Sequence, residues 1–200
     1  MVHTDLLVVR HGQSEWNAIG RWQGQADPGL SELGRRQAAV AAGSIGAVDG
    51  IISSDLRRAA ETAAIISQQL GVGPVMVDER LRERNIGEWS GLTDADIRKR
   101  WPGWLEDGRR PDGFEPIEAM VERVLEAFDA IHHASPGGSM LVISHGGVIR
   151  SLVRSHGLED APVANLAGIT MRVTDTGHTI GERLALLDGQ TVAVTQNDEL

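Results

Sequence analysis

Two short apolar runs of this chain are each followed by a segment that contains a histidine and a glycine. The run Leu6–Val9 leads into Arg10–Gly12, and the run Met140–Ile143 leads into Ser144–Gly147. Apolar runs of this length are typical of buried strands in an α/β sheet. In open α/β sheets, ligands bind at the carboxyl ends of the strands. The two histidine segments are therefore candidates for a ligand site, and their repetition is stronger evidence than either segment alone.

The residue types of the first segment suit an anionic ligand. Arg10 offers a planar fork of N–H donors to an oxyanion, and an imidazole such as that of His11 can act as a nucleophile at neutral pH. Gly12 has no side chain, so the backbone can come close to a bound group. Because a lone histidine beside a strand is more often structural, this interpretation depends on the second segment.

Strand-like and helix-like segments alternate along the chain, which predicts an α/β fold. The expected architecture is a three-layer α/β/α sandwich with a mainly parallel central sheet. Ser54 is predicted to cap a helix, Thr93 with Asp96 to begin a short one, and Gly103–Pro116 to form a loop. The predicted strands are Leu6–Arg10, Ile51–Ser53, Val75–Val77, Ser139–Ser144, Ile169–Val173 and Arg183–Leu187, and the main helices are Ser31–Gly43, Leu56–Leu70, the segment after Pro116, and Val148–His156.

Length and charge narrow the functional classes. The 200 residues fit one compact domain, so we predict a single domain over 1–200 with a small cap or lid around 84–116, within which Trp89, Trp101 and Trp104 pack. The formal net charge of −9 argues against nonspecific nucleic-acid or acidic-membrane partners, although a local pocket can still be positive. The sequence contains no cysteine, which excludes disulfides and thiolate chemistry.

The ends of the chain carry weaker signals. Met1–Asp5 has no charged leader followed by a long apolar segment, and no stretch of the sequence approaches a membrane span. A cytoplasmic location is therefore the expectation. Gln196–Leu200 is predicted to fray. The sequence does not define the oligomeric state, and a homodimer stays open.

Four blocks of the sequence resemble the histidine phosphatase superfamily, also called the phosphoglycerate mutase-like family. The likeness runs from about Leu6 to about Ser155, with the blocks in the family's order and spacing. These blocks are Arg10–Asn17; Arg21–Asp27 with Leu30–Gly34 and Gln37-Ala38; Ser53–Ala59 ending in Thr62; and Leu81–Thr93 with Ser144–Gly147. The resemblance implies a phosphoglycerate mutase-like fold and phosphoryl transfer through a phosphohistidine.

Carried over by position, the resemblance assigns roles to five residues. His11 would be the nucleophile, and Arg10 and Arg58 would clamp the phosphoryl oxygens. Arg58 is preferred to its neighbour because the family arginine directly precedes the alanine of that block. His145 would stabilise the charge that develops on the phosphoryl group, and Glu83 would protonate the leaving oxygen and then activate water.

The resemblance also implies substrate contacts and excludes a cofactor. Four further residues lie where the family binds phosphate or the rest of the substrate: Asn17, Gln23, Gly24 and Gly146. No metal or other cofactor is expected, because arginines and histidines supply the positive field. The expected partner is a small phosphorylated metabolite, such as a sugar phosphate or a phosphoglycerate derivative.

Three activities are compatible with these blocks. A cofactor-dependent mutase is suggested by Arg109–Arg110, but Asp94 stands about where such mutases carry a lysine, and their Pro-rich insertion is missing. These differences favour a phosphatase. Gly113–Pro116 departs from the Gly-Gly-Glu-Ser of many family phosphatases, which leaves substrate contacts there open. The alternative of another class is a noncatalytic phospholigand-binding module that regulates a partner.

Overall fold

A computed structural model of the chain describes residues 2–189, so the predicted tail Gln196–Leu200 lies outside the described residues. The described part contains the elements β1 (Thr4–Arg10), α1 (Glu32–Ala41), β2 (Gly50–Ser53), α2 (Arg57–Leu70), β3 (Met76–Val77), α3 (Asp94–Arg100), α4 (Trp104–Asp107), α5 (Ile117–Ala134), β4 (Ser139–Ser144), α6 (Gly146–Ser155), β5 (Ala167–Thr174) and β6 (Gly177–Ala185). Between residues 2 and 189, none of the helices combines the length and apolar character needed to span a bilayer.

All six strands form one sheet in the order β3-β2-β4-β1-β5-β6. The pairings β3–β2, β2–β4 and β4–β1 are parallel, whereas β1–β5 and β5–β6 are antiparallel. The first four connections contain helices, and the last, between β5 and β6, is a tight hairpin. The prediction of a mainly parallel α/β sheet is confirmed.

The two faces of the sheet are covered by different helix pairs. Side chains alternate along β1, so that Leu6 and Val8 pack into one hydrophobic cluster while Val9 packs into another. The first cluster takes apolar residues from α5 and α6, including Phe128 and Leu152. The second takes small and branched residues from α1 and α2. Helices on both faces give the three predicted layers.

A third hydrophobic cluster joins Trp22 to the segment predicted to form a cap. Trp89 is completely buried at its centre, with its ring centroid 5.6 Å from Trp22, 6.3 Å from Trp101 and 5.5 Å from Phe114. The Trp101 and Trp104 rings are 6.2 Å apart. The tryptophans of this segment therefore pack against one another, as predicted.

Three local predictions are wrong. Helix α2 begins at Arg57 with Leu56 at its N-cap, so Ser54 is not the helix cap. The predicted loop Gly103–Pro116 contains the one-turn helix α4. The last strand is Gly177–Ala185 rather than Arg183–Leu187, because an edge strand needs no apolar run, whereas the leucines beyond it are buried in the core after the strand has ended.

Candidate active site

Adjacent strand ends bring the two predicted histidines together. Strands β1 and β4 pair in parallel with Arg10 opposite Ser144, so the next residue after each strand is a histidine at the same edge. The backbone N–H of His11 donates to the Ser144 carbonyl at 3.1 Å. The ring centroids of His11 and His145 lie 5.2 Å apart. Both side chains are buried.

The hydrogen bonds of the His11 ring define its proton state. Nδ1 lies 2.6 Å from the Gly12 carbonyl oxygen, which can only accept, so Nδ1 carries the ring proton. Nε2 lies 3.1 Å from Nε of Arg58, which can only donate, so Nε2 presents a lone pair. Burial lowers the pKa of His11 well below 6.5, and the charges of Arg58 and Arg10 lower it further. His11 is therefore a neutral imidazole with a nucleophilic nitrogen.

Arg58 is held against His11 by backbone carbonyls. It is 1% exposed, its Nη1 donates to Ala26 O at 2.8 Å and its Nη2 donates to Gly24 O at 2.8 Å. The preceding residue, Arg57, points into solvent and forms an ion pair with Glu61 at 2.6 Å. Burial therefore selects the second of the two adjacent arginines for the site.

A second guanidinium group approaches from strand β1. Arg10 is 4% exposed, and its Nη1 donates to the carbonyl of Val163 at 2.6 Å. Its side chain runs beside Gly146, where an added Cβ would lie 3.4 Å from Arg10 Cδ. Arg10 and Arg58 are the positive charges that lower the pKa of His11, so they flank the same ring.

The ring of His145 is hydrogen-bonded to Ser54, which follows the neighbouring strand β2. Its Nε2 lies 2.9 Å from Ser54 Oγ, and that oxygen accepts the backbone N–H of Leu56 at 3.2 Å. Nδ1 is buried and has no hydrogen-bond partner among the described residues. Burial lowers the pKa of His145 well below 6.5, followed by the charge of Arg58. Ser54 was missed in this role, although its position directly after β2 is a signal that could have identified it.

Two backbone N–H groups hold the carboxyl group of Glu83. Its Oε1 accepts the N–H of Arg84 at 2.8 Å, and its Oε2 accepts the N–H of Gly147 at 2.9 Å. A Cβ on Gly147 would meet Glu83 Oε1 at 2.4 Å, so only glycine lets the carboxyl group come this close to helix α6. Glu83 is 8% exposed.

The backbone around Glu83 is fixed by residues that the sequence did not single out. Arg123 of helix α5 donates from Nη1 to the carbonyls of Arg80 and Arg82, and from Nη2 to that of Glu83 at 3.1 Å. The same guanidinium pairs with Glu115 at 2.8 Å. No sequence motif marks Arg123, because its partners are main-chain oxygens of a distant segment.

A cavity joins most of the predicted site residues. Its lining consists of Arg10, His11, Trp22, Gln23, Gly24, Arg58, Glu83, Ile86, Gly146 and Gly147. This lining does not include Asn17 or His145. Asn17 is buried at the start of a short 3-10 helix, where its Oδ1 accepts the Ser14 N–H at 3.1 Å. His145 is buried beside His11.

The arrangement combines a nucleophile, two cations and a carboxyl group. An anionic group in the cavity would meet two guanidinium groups next to the lone pair of His11 Nε2, and Glu83 lines the same cavity. Over residues 2–189, no three His, Cys, Asp or Glu side chains are grouped so that they could hold a metal ion. The site can therefore bind an oxyanion and attack it with an imidazole.

Known proteins are similar to this chain in sequence and in fold. The profile of the histidine phosphatase superfamily (branch 1) matches residues 6–186. Glucosyl-3-phosphoglycerate phosphatase of Mycobacterium tuberculosis is 40% identical over 175 residues, covering 80% of this chain and 77% of that protein. Metal-independent phosphoserine phosphatase of Arabidopsis thaliana is 32% identical, covering 74% and 67%. The native structure of mycobacterial glucosyl-3-phosphoglycerate phosphatase has a TM-score of 0.80 at 29% identity, covering 92% of this chain and 99% of that one.

We predict that both site histidines stay neutral in mildly acidic solution, with His11 and His145 titrating below 6.5. An unfolded chain takes up these protons near pH 6.5, so stability should fall as the pH drops below that value. Nuclear magnetic resonance titration of the imidazole nitrogens would measure the pKa values, and denaturant unfolding at several pH values would measure stability.

The adjacent arginines provide a matched pair of variants for this titration. Arg58→Gln removes a charge beside the ring and should raise the pKa of His11, whereas Arg57→Gln should leave it unchanged. Equal shifts in the two variants, or a wild-type His11 that titrates at 6.5 or above, would contradict the electrostatic account of the site.

Proposed function

Because this chain belongs to the histidine phosphatase superfamily, we propose that it hydrolyses phosphomonoesters of small metabolites through a phosphohistidine on His11. The observation that carries the proposal is the unprotonated Nε2 of a buried imidazole, 3.1 Å from the Arg58 guanidinium. A nucleophile beside a fixed donor is what transfer of a negatively charged phosphoryl group requires. In a noncatalytic phospholigand-binding module, neither the lone pair nor Glu83 would be needed.

In the first step, the phosphoryl oxygens replace His11 Nε2 as the acceptor of the Arg58 Nε–H and also bind Arg10. The freed lone pair of His11 forms a bond to phosphorus while the bond from phosphorus to the ester oxygen breaks. Glu83 gives its proton to the departing alkoxide, which leaves as an alcohol. The ring centroid of His145 lies 5.2 Å from that of His11, so His145 is close enough to stabilise negative charge on the phosphoryl group.

In the second step, water takes the place of the alcohol. Glu83, now a carboxylate held by the N–H groups of Arg84 and Gly147, removes a proton from the water as its oxygen bonds to phosphorus. The bond between phosphorus and His11 Nε2 breaks, inorganic phosphate is formed, and the imidazole regains its lone pair. The positive charge needed in both steps comes from side chains of the chain itself.

The cavity wall supports a phosphatase more strongly than a mutase. Trp22 lines the cavity, and its Nε1 donates to Asp94 at 2.6 Å. A carboxylate at this position opposes the second phosphoryl group that a bisphosphate intermediate would carry. Arg109, the first of the pair that suggested a mutase, forms an ion pair with Asp107 at 2.6 Å instead.

We propose that the cap segment 84–116 contacts the rest of the substrate. Phe114 forms an isolated antiparallel β-bridge with Ile86 of the cavity wall. The guanidinium of Arg84 lies 4.5 Å from the Phe114 ring centroid. Arg110 lies 5.5 Å from the same ring, and burial together with the Arg110 charge lowers the pKa of Arg84. Two guanidinium groups beside one aromatic ring of the cap favour a substrate with a second acidic group.

Such a substrate is a phosphoglycerate derivative or an acidic sugar phosphate. The 40% identity to a glucosyl-3-phosphoglycerate phosphatase supports the same class. We further propose that the protein acts in the cytoplasm, where small phosphorylated metabolites are retained. Together, the cap and the similarity support a substrate that combines a phosphomonoester with a carboxylate.

The phosphohistidine is tested by trapping it. Brief mixing with a radiolabelled phosphomonoester should give an acid-labile, base-stable adduct, and His11→Ala should abolish both the adduct and turnover without unfolding the protein. His133→Ala removes an exposed histidine of α5 and serves as the control, with adduct and turnover unchanged. Normal turnover by His11→Ala would exclude the proposed mechanism.

Glu83 is tested by varying the leaving group. Glu83→Gln keeps the shape but has no transferable proton, so single-turnover phosphorylation should slow by about 10²–10⁴-fold with an alkyl phosphate. An activated aryl phosphate should lose less, because its leaving group needs no proton. The exposed Glu88 of the same segment provides the control, Glu88→Gln, which should behave as wild type. Equal losses with both leaving groups would remove Glu83 from the acid role.

The substrate class is tested with phosphorylated metabolites with and without a carboxylate, by measuring released phosphate. Acidic substrates should give the higher kcat/KM, and addition of 2,3-bisphosphoglycerate should not turn hydrolysis into isomerisation. Arg84→Met should raise KM for acidic substrates by about tenfold or more, because a hydrogen bond to a charged group is lost. It should leave KM unchanged for an aryl phosphate monoester whose aryl group carries no charge. An equal effect on both kinds of substrate would contradict the contact to the second acidic group.

A further inference from the structure

The segment between α6 and β5 crosses directly behind the proposed nucleophile. It supplies three hydrogen bonds to two consecutive residues of the site. Val163 O accepts from Arg10 Nη1 at 2.6 Å, the N–H of Leu166 donates to Arg10 O at 3.0 Å, and Nδ2 of Asn165 donates to His11 O at 2.8 Å. Strand β1 ends at Arg10, so the backbone of His11 has left the regular sheet where these bonds begin.

Of the two ends of the Asn165 amide, the N–H end forms a hydrogen bond and the oxygen does not. Its partner is a carbonyl oxygen, which can only accept, so the contacting atom is the nitrogen. The amide oxygen, Oδ1, is buried without a hydrogen-bond partner among the described residues, and the whole residue is 1% exposed. A buried acceptor left unpaired destabilises a fold. This cost indicates that the N–H donor at the other end of the amide has a function.

Leu166 holds this segment in an unfavourable conformation. Its φ of 58° makes it the one non-glycine residue with a positive φ in the described part of the chain. Its N–H bonds Arg10 O, and its carbonyl accepts the N–H of Leu186 at 2.9 Å. Backbone strain of this kind persists where surrounding contacts over-determine it, and such sites cluster around functional groups.

Two side chains clamp the peptide group that joins His11 to Gly12. Asn165 binds its carbonyl oxygen from one side, and Thr62 Oγ1 accepts its N–H from the other at 3.1 Å. The orientation of this peptide determines where the following carbonyl, Gly12 O, meets the His11 ring at Nδ1. A tilt of the peptide would therefore move the ring, and with it the nitrogen that faces Arg58.

We propose that Asn165 is a positioning residue for His11: its amide N–H fixes the His11–Gly12 peptide and thereby aims Nε2 at the phosphorus. This inference rests on the proposed function. Asn165 touches neither phosphate nor leaving group, so its loss should slow attack without weakening anion binding. The guanidinium groups of Arg10 and Arg58 keep their carbonyl partners when Asn165 is replaced.

The test compares two variants that lack the donor with one control. Asn165→Leu keeps a branched side chain of similar size and also removes the unpaired oxygen, while Asn165→Asp keeps the shape and places a carboxylate oxygen against His11 O. Thr4→Val is the control, because Thr4 is buried at the other end of β1 and bonds His132 at 2.8 Å and Ser135 O at 2.9 Å. It removes buried hydrogen bonds from the same strand far from the site.

Single-turnover phosphorylation with an aryl phosphate should slow by about 10²-fold in Asn165→Leu and at least as much in Asn165→Asp. The rate falls because Nε2 of His11 is no longer aimed at the phosphorus. Inhibition by inorganic phosphate should be unchanged in both, and Thr4→Val should lower the thermal midpoint without slowing phosphorylation of the folded protein. A phosphorylation rate in Asn165→Leu equal to that of wild type would overturn the inference. So would a parallel loss of phosphate binding or an equal loss in Thr4→Val.

The wild-type protein separates this inference from the proposed function. If wild type forms a phosphohistidine and Asn165→Leu forms it equally fast, the positioning role is wrong and the proposed function stands. If wild type forms no phosphohistidine with any phosphomonoester, the proposed function fails, and the positioning role fails with it.

Discussion

In the centre of the sheet, β1 and β4 run side by side in parallel register, with Arg10 beside Ser144 at their carboxyl ends. Parallel neighbours present their carboxyl ends at one edge, so the residues that follow them emerge together. Here those residues are His11 and His145, with Ser54 following the next strand along, β2. Arg10 ends strand β1 itself, whereas Arg58 and Glu83 approach this edge from a helix and a loop. A change of register in this one pairing would separate the two imidazoles.

Burial then determines the chemistry of these side chains. Both histidines are buried beside two guanidinium groups, so a further positive charge on either imidazole is unfavourable. The imidazoles therefore stay neutral, and for His11 the hydrogen bond to Gly12 O leaves the lone pair on Nε2. Main-chain oxygens orient both arginines, because Arg10 donates to the Val163 carbonyl and Arg58 donates to the carbonyls of Ala26 and Gly24. A chain of net charge −9 thus contains a positive pocket.

The fixed geometry of the site comes from residues without chemistry of their own. Arg123 ties the segment of Glu83 to helix α5, and Gly147 lets that carboxyl group reach the start of helix α6. Asn165 and Thr62 hold the two edges of the peptide after His11. Each contact joins parts of the chain that are far apart in sequence, and most end on a backbone atom. Such contacts leave no local pattern, which is why sequence analysis did not find them.

The sequence by itself determined the α/β class, the strands that precede the histidines, and the preference for Arg58 over Arg57, because hydrophobic periodicity and family motifs are local properties. It misplaced β6 and the role of Ser54, since an edge strand lacks an apolar run and a serine after a strand looks like a helix cap. Tertiary structure alone decided which nitrogen of His11 carries the proton and which backbone atoms hold Arg58, Glu83 and Asn165. Those properties depend on burial and on hydrogen-bond partners up to 154 residues away in sequence, so no single segment of the chain determines them.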